Sequence, residues 1–263
     1  MTRSRKTNPP KMVKSGQTKS TKNNDKVEKL TSANKIIGNK VRLKCKNLKQ
    51  KEYANLIKEK EVVICSGPAG TGKSYVSIAI AIELLQNTSN SYNRILIVKP
   101  AVEAEENLGF LPGDLKEKMA PFLASSIDIV DKILGKSTRI ELEKSEDISA
   151  EPLGFIRGKT IDNAILIMEE AQNMSPSQMK TLLTRIGYNS KYVISGDLDQ
   201  SDKYKNNVEQ SGLFDAIRKH TNIAEVGIFE FYENDIVRNP IISKILMNYK
   251  DKSPEEEYPS KNN

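Results

Sequence analysis

The sequence predicts an α/β fold, a parallel sheet flanked by helices and centred on a phosphate-binding loop. Three observations carry this expectation. Gly67-Pro68-Ala69-Gly70-Thr71-Gly72-Lys73-Ser74 stands between an apolar run and a helix-forming run. Short continuous apolar segments recur at 62–65, 94–98, 164–168 and 191–195, as in central strands covered on both faces. The stretches between them have helical patterning, and strands alternating with helices make an open parallel sheet.

Each element follows in order. Residues 1–30 are rich in Lys, Ser, Thr and Asn with almost no apolar periodicity, and they read as disorder. Leu48, Tyr53 and Ile57 are spaced for one face of a helix over 48–59. A strand over 61–65 enters the loop, and a helix over 75–85 leaves it. After the polar turn 87–93 comes the strand 94–98, ending at Lys99-Pro100. Residues 113–135 predict helix, with a possible break at Pro121. Arg139-Ile140-Glu141-Leu142-Glu143 alternates and suggests an inserted hairpin within 136–153. The strand 164–168 runs into Glu169-Glu170. Pro176 marks the start of a helix over 177–186. The strand 191–195 ends at Gly196-Asp197. A fifth strand is expected over 224–231, a closing helix over 236–249, and a polar tail over 250–263. The expected organisation is thus a basic arm (1–40), one domain (41–249) and the tail.

Charge is unevenly placed. Residues 1–51 hold 16 Lys and Arg against 2 Asp and Glu, so the net charge of +7 is made in the arm and the remainder is net acidic. Such an arm suits contact with phosphate backbones by counterion release; the plainer alternative is a solvated tail. Lys99, Arg157 and Lys159 are further candidates for backbone contact. No aromatic stacking ladder accompanies them, so recognition would be electrostatic and weakly sequence-specific. Cys45 and Cys65 make no disulfide framework, and the single His220 excludes a histidine-rich metal site. No apolar run reaches membrane-span length, and the N-terminus lacks the apolar segment of a secretory signal. The expected location is the cytoplasm.

The loop defines a nucleoside triphosphate site. Gly67, Gly70 and Gly72 allow the backbone to turn around phosphate oxygens. Their N–H groups and the next helix's N-terminus, with Pro68, Ala69 and Thr71 between, form an anion cradle. Lys73 is placed for the β and γ phosphates and the Ser74 hydroxyl for Mg²⁺. Phosphoryl transfer needs a second Mg²⁺ anchor and a group that orients water. Glu169 is assigned to the Mg²⁺ shell and Glu170 to the base, with the order of the two open. Asp197 and Gln200, after the next strand, can sense the γ phosphate or position water.

These residues resemble the PhoH-like ATPases, from about Lys46-Asn47-Leu48-Lys49-Gln50 to Tyr249. Besides the loop, the resemblance rests on Lys99-Pro100-Ala101-Val102-Glu103-Ala104, on Leu108-Gly109-Phe110-Leu111-Pro112-Gly113-Asp114 and on Arg157-Gly158-Lys159-Thr160. It also includes Glu170-Ala171-Gln172-Asn173, Leu183-Thr184-Arg185-Ile186-Gly187 and Val237-Arg238-Asn239-Pro240. It implies a P-loop NTPase fold similar to the ATPase core of superfamily 1 helicases. It further implies that Gln50 reads adenine, that the chains form ring oligomers, expected as hexamers, and that Arg185 or Arg238 meets ATP across a subunit boundary. The chain departs from the family pattern in three places. Glu169-Glu170 replaces the usual Asp-Glu, Lys99 stands where arginine is commoner, and Asn239 replaces a common histidine. The short basic arm and the lack of a nuclease-like domain resemble the compact versions carried by bacteriophages.

The expected function is Mg²⁺-dependent hydrolysis of ATP to ADP and phosphate, coupled to RNA or single-stranded DNA. One alternative is an ATP-bound switch or assembly scaffold with little turnover, motivated by Glu169. Another is a small-molecule kinase, for which no acceptor pocket is legible.

Overall fold

In the computed structural model, residues 33, 36–87, 89–100, 115–201, 203–204, 207–237 and 241 are described. Their apolar runs assemble into one six-stranded sheet in which every pairing is parallel. The strands are β1 (Val62–Ser66), β2 (Arg94–Lys99), β3 (Ile148–Pro152), β4 (Ala164–Met168), β5 (Lys191–Gly196) and β6 (Val226–Glu230), in the order β3-β2-β4-β5-β1-β6. The helices are α1 (Leu48–Glu59), α2 (Lys73–Gln86), α3 (Leu115–Leu134), α4 (Lys136–Lys144), α5 (Pro176–Leu183) and α6 (Gly212–Lys219).

Strand alternation divides the core into two layers. Ile64, Leu96, Val98, Leu166, Met168, Tyr192 and Ile194 face α5 and α6, where they meet Met179, Leu182, Leu213 and Ala216. Val63, Cys65, Ile95, Ile97, Ile165, Ile167 and Val193 face α1, α2, α3 and α4. The four inner strands β1, β2, β4 and β5 are buried on both faces over nearly their whole length, which is why they read as unbroken apolar runs. Local chemistry sets the helix starts. The Asn47 side chain caps α1 by accepting from the Gln50 N–H, and Ser175 with Gln178 closes a capping box ahead of Pro176 in α5.

Three expectations are corrected. The hairpin within 136–153 is absent. Residues 136–144 form α4, and Ile148–Pro152 is an edge strand parallel to β2. The 139–143 alternation is also compatible with a helix that buries a single side chain, Leu142. Arg139 decides for the helix, pairing with Asp131 of α3 and with Glu143 one turn on, both at 2.7 Å. Helix α3 runs through Pro121 unbroken. The proline removes one backbone donor, and the buried Leu123, Ser126 and Val130 hold the rest of the helix against the protein. Leu48, expected on the buried face of α1, is 69% exposed, while Gln50, Tyr53, Ala54 and Ile57 are buried. Of the closing helix expected over 236–249, Ile236 is extended backbone and most of the remainder lies outside the described residues. So do most of the basic arm, the polar tail, the 101–114 segment, Arg238 and Asn239.

Candidate nucleotide site

The strand order builds the site. Strand β5 lies between β1 and β4. Asp197, which follows β5, therefore falls between the loop that follows β1 and the glutamates that follow β4, all at the strands' C-terminal ends. A cleft of about 280 Å³ opens there, lined among others by Gly70, Gly72, Lys73, Ser74, Glu170, Asp197 and Gln200.

The loop turns at Gly67, Gly70 and Gly72, with φ of 144°, 90° and 92°, values that favour glycine. At Gly67 the close approach of Phe231, just past β6, is a second constraint, since a Cβ there would lie 2.6 Å from Phe231 Cβ. The loop is braced from three directions. Gln50 of α1 donates to the Thr71 carbonyl at 2.9 Å, Asp197 accepts from the Ala69 N–H at 2.9 Å, and the Val237 N–H donates to the Gly70 carbonyl at 3.0 Å. Lys73 Nζ donates to the Gly67 and Pro68 carbonyls at 2.5 and 2.9 Å, which holds the ammonium over the loop. Burial pushes the Asp197 carboxyl above its ordinary value, opposed by the Lys73 charge and by the Asp199 and Ala69 N–H groups.

The two glutamates diverge. Glu169 continues the strand, its N–H donating to the Val98 carbonyl at 2.9 Å. Its side chain is 3% exposed, and Oε2 accepts from Ser126 Oγ of α3 and lies 3.4 Å from Lys99 Nζ. Glu169 Oε1 is buried with no hydrogen-bond partner. Glu170 turns into the left-handed region, φ 55° and ψ 36°, a conformation that costs a non-glycine residue about 1–3 kcal/mol and clusters at functional sites. The turn brings its side chain to the cleft wall, where Oε2 accepts from Gln172 Nε2 at 2.7 Å.

This geometry coincides with a match over residues 42–250 to the family model described as PhoH-like protein. The chain belongs to the PhoH-like family. It is 40% identical over 207 residues to the PhoH-like protein of Bacillus subtilis and 37% identical over 207 residues to that of Synechocystis; each match covers 79% of this chain. It is 36% identical over 209 residues to Protein PhoH of Escherichia coli, covering 78% of this chain. The matches span 64%, 62% and 57% of those relatives' own lengths. The family is of P-loop, ATPase type, and the chain has its nucleotide-binding fold.

Within this PhoH-like chain the sequence-derived residues separate into groups. Lys73, Ser74, Glu170, Asp197 and Gln200 share the cleft. Gln50 is 3% exposed and engaged at both ends of its amide, with Oε1 accepting from the Lys46 N–H at 2.8 Å and Nε2 on Thr71. Arg185 lies elsewhere. Its carbonyl accepts from the Ile161 N–H ahead of β4, and its charge acts on Tyr192 near the start of β5, which places it at the opposite end of the sheet. Lys99 corrects an expectation. It is not presented to a phosphate backbone but is 7% exposed, with Nζ donating to Ser125 Oγ at 2.7 Å and the Phe122 carbonyl at 3.1 Å. Arg157 and Lys159 are exposed. The sequence reading missed Ser125 and Ser126, which sit on a helix with nothing to mark them, and it gave Gln172 no role. Among the described residues no group of three or more His, Cys, Asp or Glu could hold a metal, and no helix is long and apolar enough to cross a membrane.

Proposed function

We propose that this chain binds ATP with Mg²⁺ and hydrolyses it to ADP and phosphate by in-line attack of water on the γ phosphate. One observation carries the reading. A glutamate in a costly backbone conformation, Glu170, faces the same cleft as the phosphate-loop Lys73 and Ser74. Glu170 orients the water and takes its proton. Lys73 Nζ exchanges its carbonyl partners for β- and γ-phosphate oxygens, and the loop N–H groups hold the remaining charge. Asp197 and Gln200 sense the γ phosphate, and Gln50 reads adenine with the amide positions its two backbone bonds leave free.

The donor set suits Mg²⁺. Glu169 Oε1 is an orphaned buried carboxylate oxygen and the Ser74 hydroxyl lines the cleft, so these two would hold the ion, Glu169 through water. An ion of this kind keeps waters and phosphate oxygens as ligands and needs no all-protein cage. When bound, the ion would neutralise charge on the β and γ phosphates.

The finer reading couples hydrolysis to RNA or single-stranded DNA in the cytoplasm. The arm (1–40) and the exposed Arg157 and Lys159 gather the strand, and the domain (41–249) assembles into a hexameric ring. In that ring Arg185, at the far end of the sheet from its own cleft, supplies the arginine to a neighbour, with Arg238 the other candidate. A second reading, an ATP-bound switch with little turnover, is favoured by Glu169, which Lys99 and Ser126 already engage.

The test is phosphate release with Mg²⁺, with and without single-stranded RNA, for the unchanged chain, Lys73→Ala and Glu170→Gln. RNA-stimulated release lost in both variants is the expected result. Tight ATP binding without release would replace the hydrolase with the switch.

A further inference from the structure

We infer that Gln172 is the positioning residue that aims Glu170 and ties it to the Asp197 loop, an inference that rests on the hydrolase reading above. The Gln172 side chain is 2% exposed and bridges the two groups. Its Nε2 donates to Glu170 Oε2 at 2.7 Å, and its Oε1 accepts from the Asp197 N–H at 3.1 Å. The chemistry fixes the amide's orientation, because an ionised carboxylate only accepts and a backbone N–H only donates. Neither a methionine nor a glutamate carboxylate of similar length can serve both.

The residue that carries this bridge is itself held. Its carbonyl accepts from Ser211 Oγ at 2.9 Å and Ser201 Oγ at 3.3 Å. Strand β5 leaves room for the amide by ending in glycine, since a Cβ on Gly196 would lie 2.5 Å from Gln172 Oε1 and 2.9 Å from its backbone nitrogen. Asp197 in turn accepts from the Ala69 N–H of the phosphate loop. An unbroken path of hydrogen bonds thus runs from the loop through Asp197 and Gln172 to Glu170. A shift of the loop on γ-phosphate binding or release reaches the base through two side chains, and Glu170 is aimed only while Asp197 is seated.

The test measures phosphate release and equilibrium ATP affinity in the full chain. Gln172→Met is expected to lower kcat at least about tenfold, a fraction of what a positioned base supplies, while ATP affinity stays within about threefold. Added to Glu170→Gln it causes no further loss, because the group being aimed is already gone. Gly196→Ala displaces the amide from the β5 side without removing a polar group and gives a similar kcat loss that does not add to that of Gln172→Met. A Gln172→Met loss that multiplies fully with Glu170→Gln, or kcat and affinity falling in proportion, would make Gln172 a structural brace and overturn the inference. If the unchanged chain releases no phosphate, the hydrolase reading fails and takes this inference with it. If the unchanged chain turns over and Gln172→Met matches it, only the positioning role fails.

Discussion

The two sides of β4 use the same chemistry for opposite ends. Toward β5, the buried Gln172 joins Glu170 and Asp197, which line an open cleft, in a hydrogen-bonded row tied to backbone N–H groups. Toward β2, Glu169, Lys99 and Ser126 form a buried charged cluster that pins α3 to the sheet. The residues that start these two regions are neighbours in sequence, and a single backbone angle separates them. Glu169 stays in the strand pairing, whereas Glu170 swings to φ 55°. Side-chain type alone does not assign a role to either of two consecutive carboxylates; the backbone at the end of the strand does.

The largest effect that tests this contrast is on turnover. Glu170→Gln should lower phosphate release by about 10²–10⁴-fold with ATP affinity and unfolding midpoint unchanged. Glu169→Gln should act through Mg²⁺ affinity and stability. If Glu169→Gln silences release and Glu170→Gln does not, the two roles are exchanged. On the buried side, Lys99→Met leaves a buried carboxylate without its counter-charge and should cost about 3–5 kcal/mol in denaturant unfolding, part of which returns in the double variant with Glu169→Gln. A Lys99→Met protein as stable as the unchanged chain would show that the cluster is solvated.

A smaller effect distinguishes the two ends of β5 by pH. Asp197, at the cleft end, has its carboxyl raised by burial. Its contribution is fully present below the ordinary Asp value and is lost as pH rises through the raised one. Lys191, at the other end, is lowered by burial from 10.5 to about 8. Its folded form binds fewer protons between those values, so stability should rise as pH goes from about 8 to 10.5 and fall as pH drops through 8. Unfolding midpoints across pH check both slopes, and each should vanish in its own variant, Asp197→Asn or Lys191→Met. The smallest effect is Ser175→Ala, which opens the capping box of α5 and should cost about 1 kcal/mol.

Most of the sheet was legible because strands buried on both faces announce themselves as apolar runs, as 94–98 and 164–168 do. The edge strand Ile148–Pro152 was not. Only one of its sides pairs, three of its five residues are half-buried, and it ends in proline. The phosphate loop was legible because its function demands glycines and a lysine at fixed spacing. That Glu170, Asp197 and Gln200 lie at the cleft was legible because they come just after strands whose C-terminal ends face it; that Glu169 turns away to Lys99 and Ser126 was not. Gln172 was visible only as part of a motif, since its role depends on Asp197, which lies on another strand's end.

The sequence by itself determined the alternation of strands and helices, the phosphate loop and the carboxylates at the strand ends, because each is written in contiguous residues whose period or spacing is a local physical requirement. Only the tertiary structure decided the order β3-β2-β4-β5-β1-β6, which sets Asp197 between loop and glutamates. The same packing turned Lys99 inward onto α3 and joined Gln172 to both neighbours. These are meetings between residues distant in the chain, and only the packing of separate elements against one another specifies them.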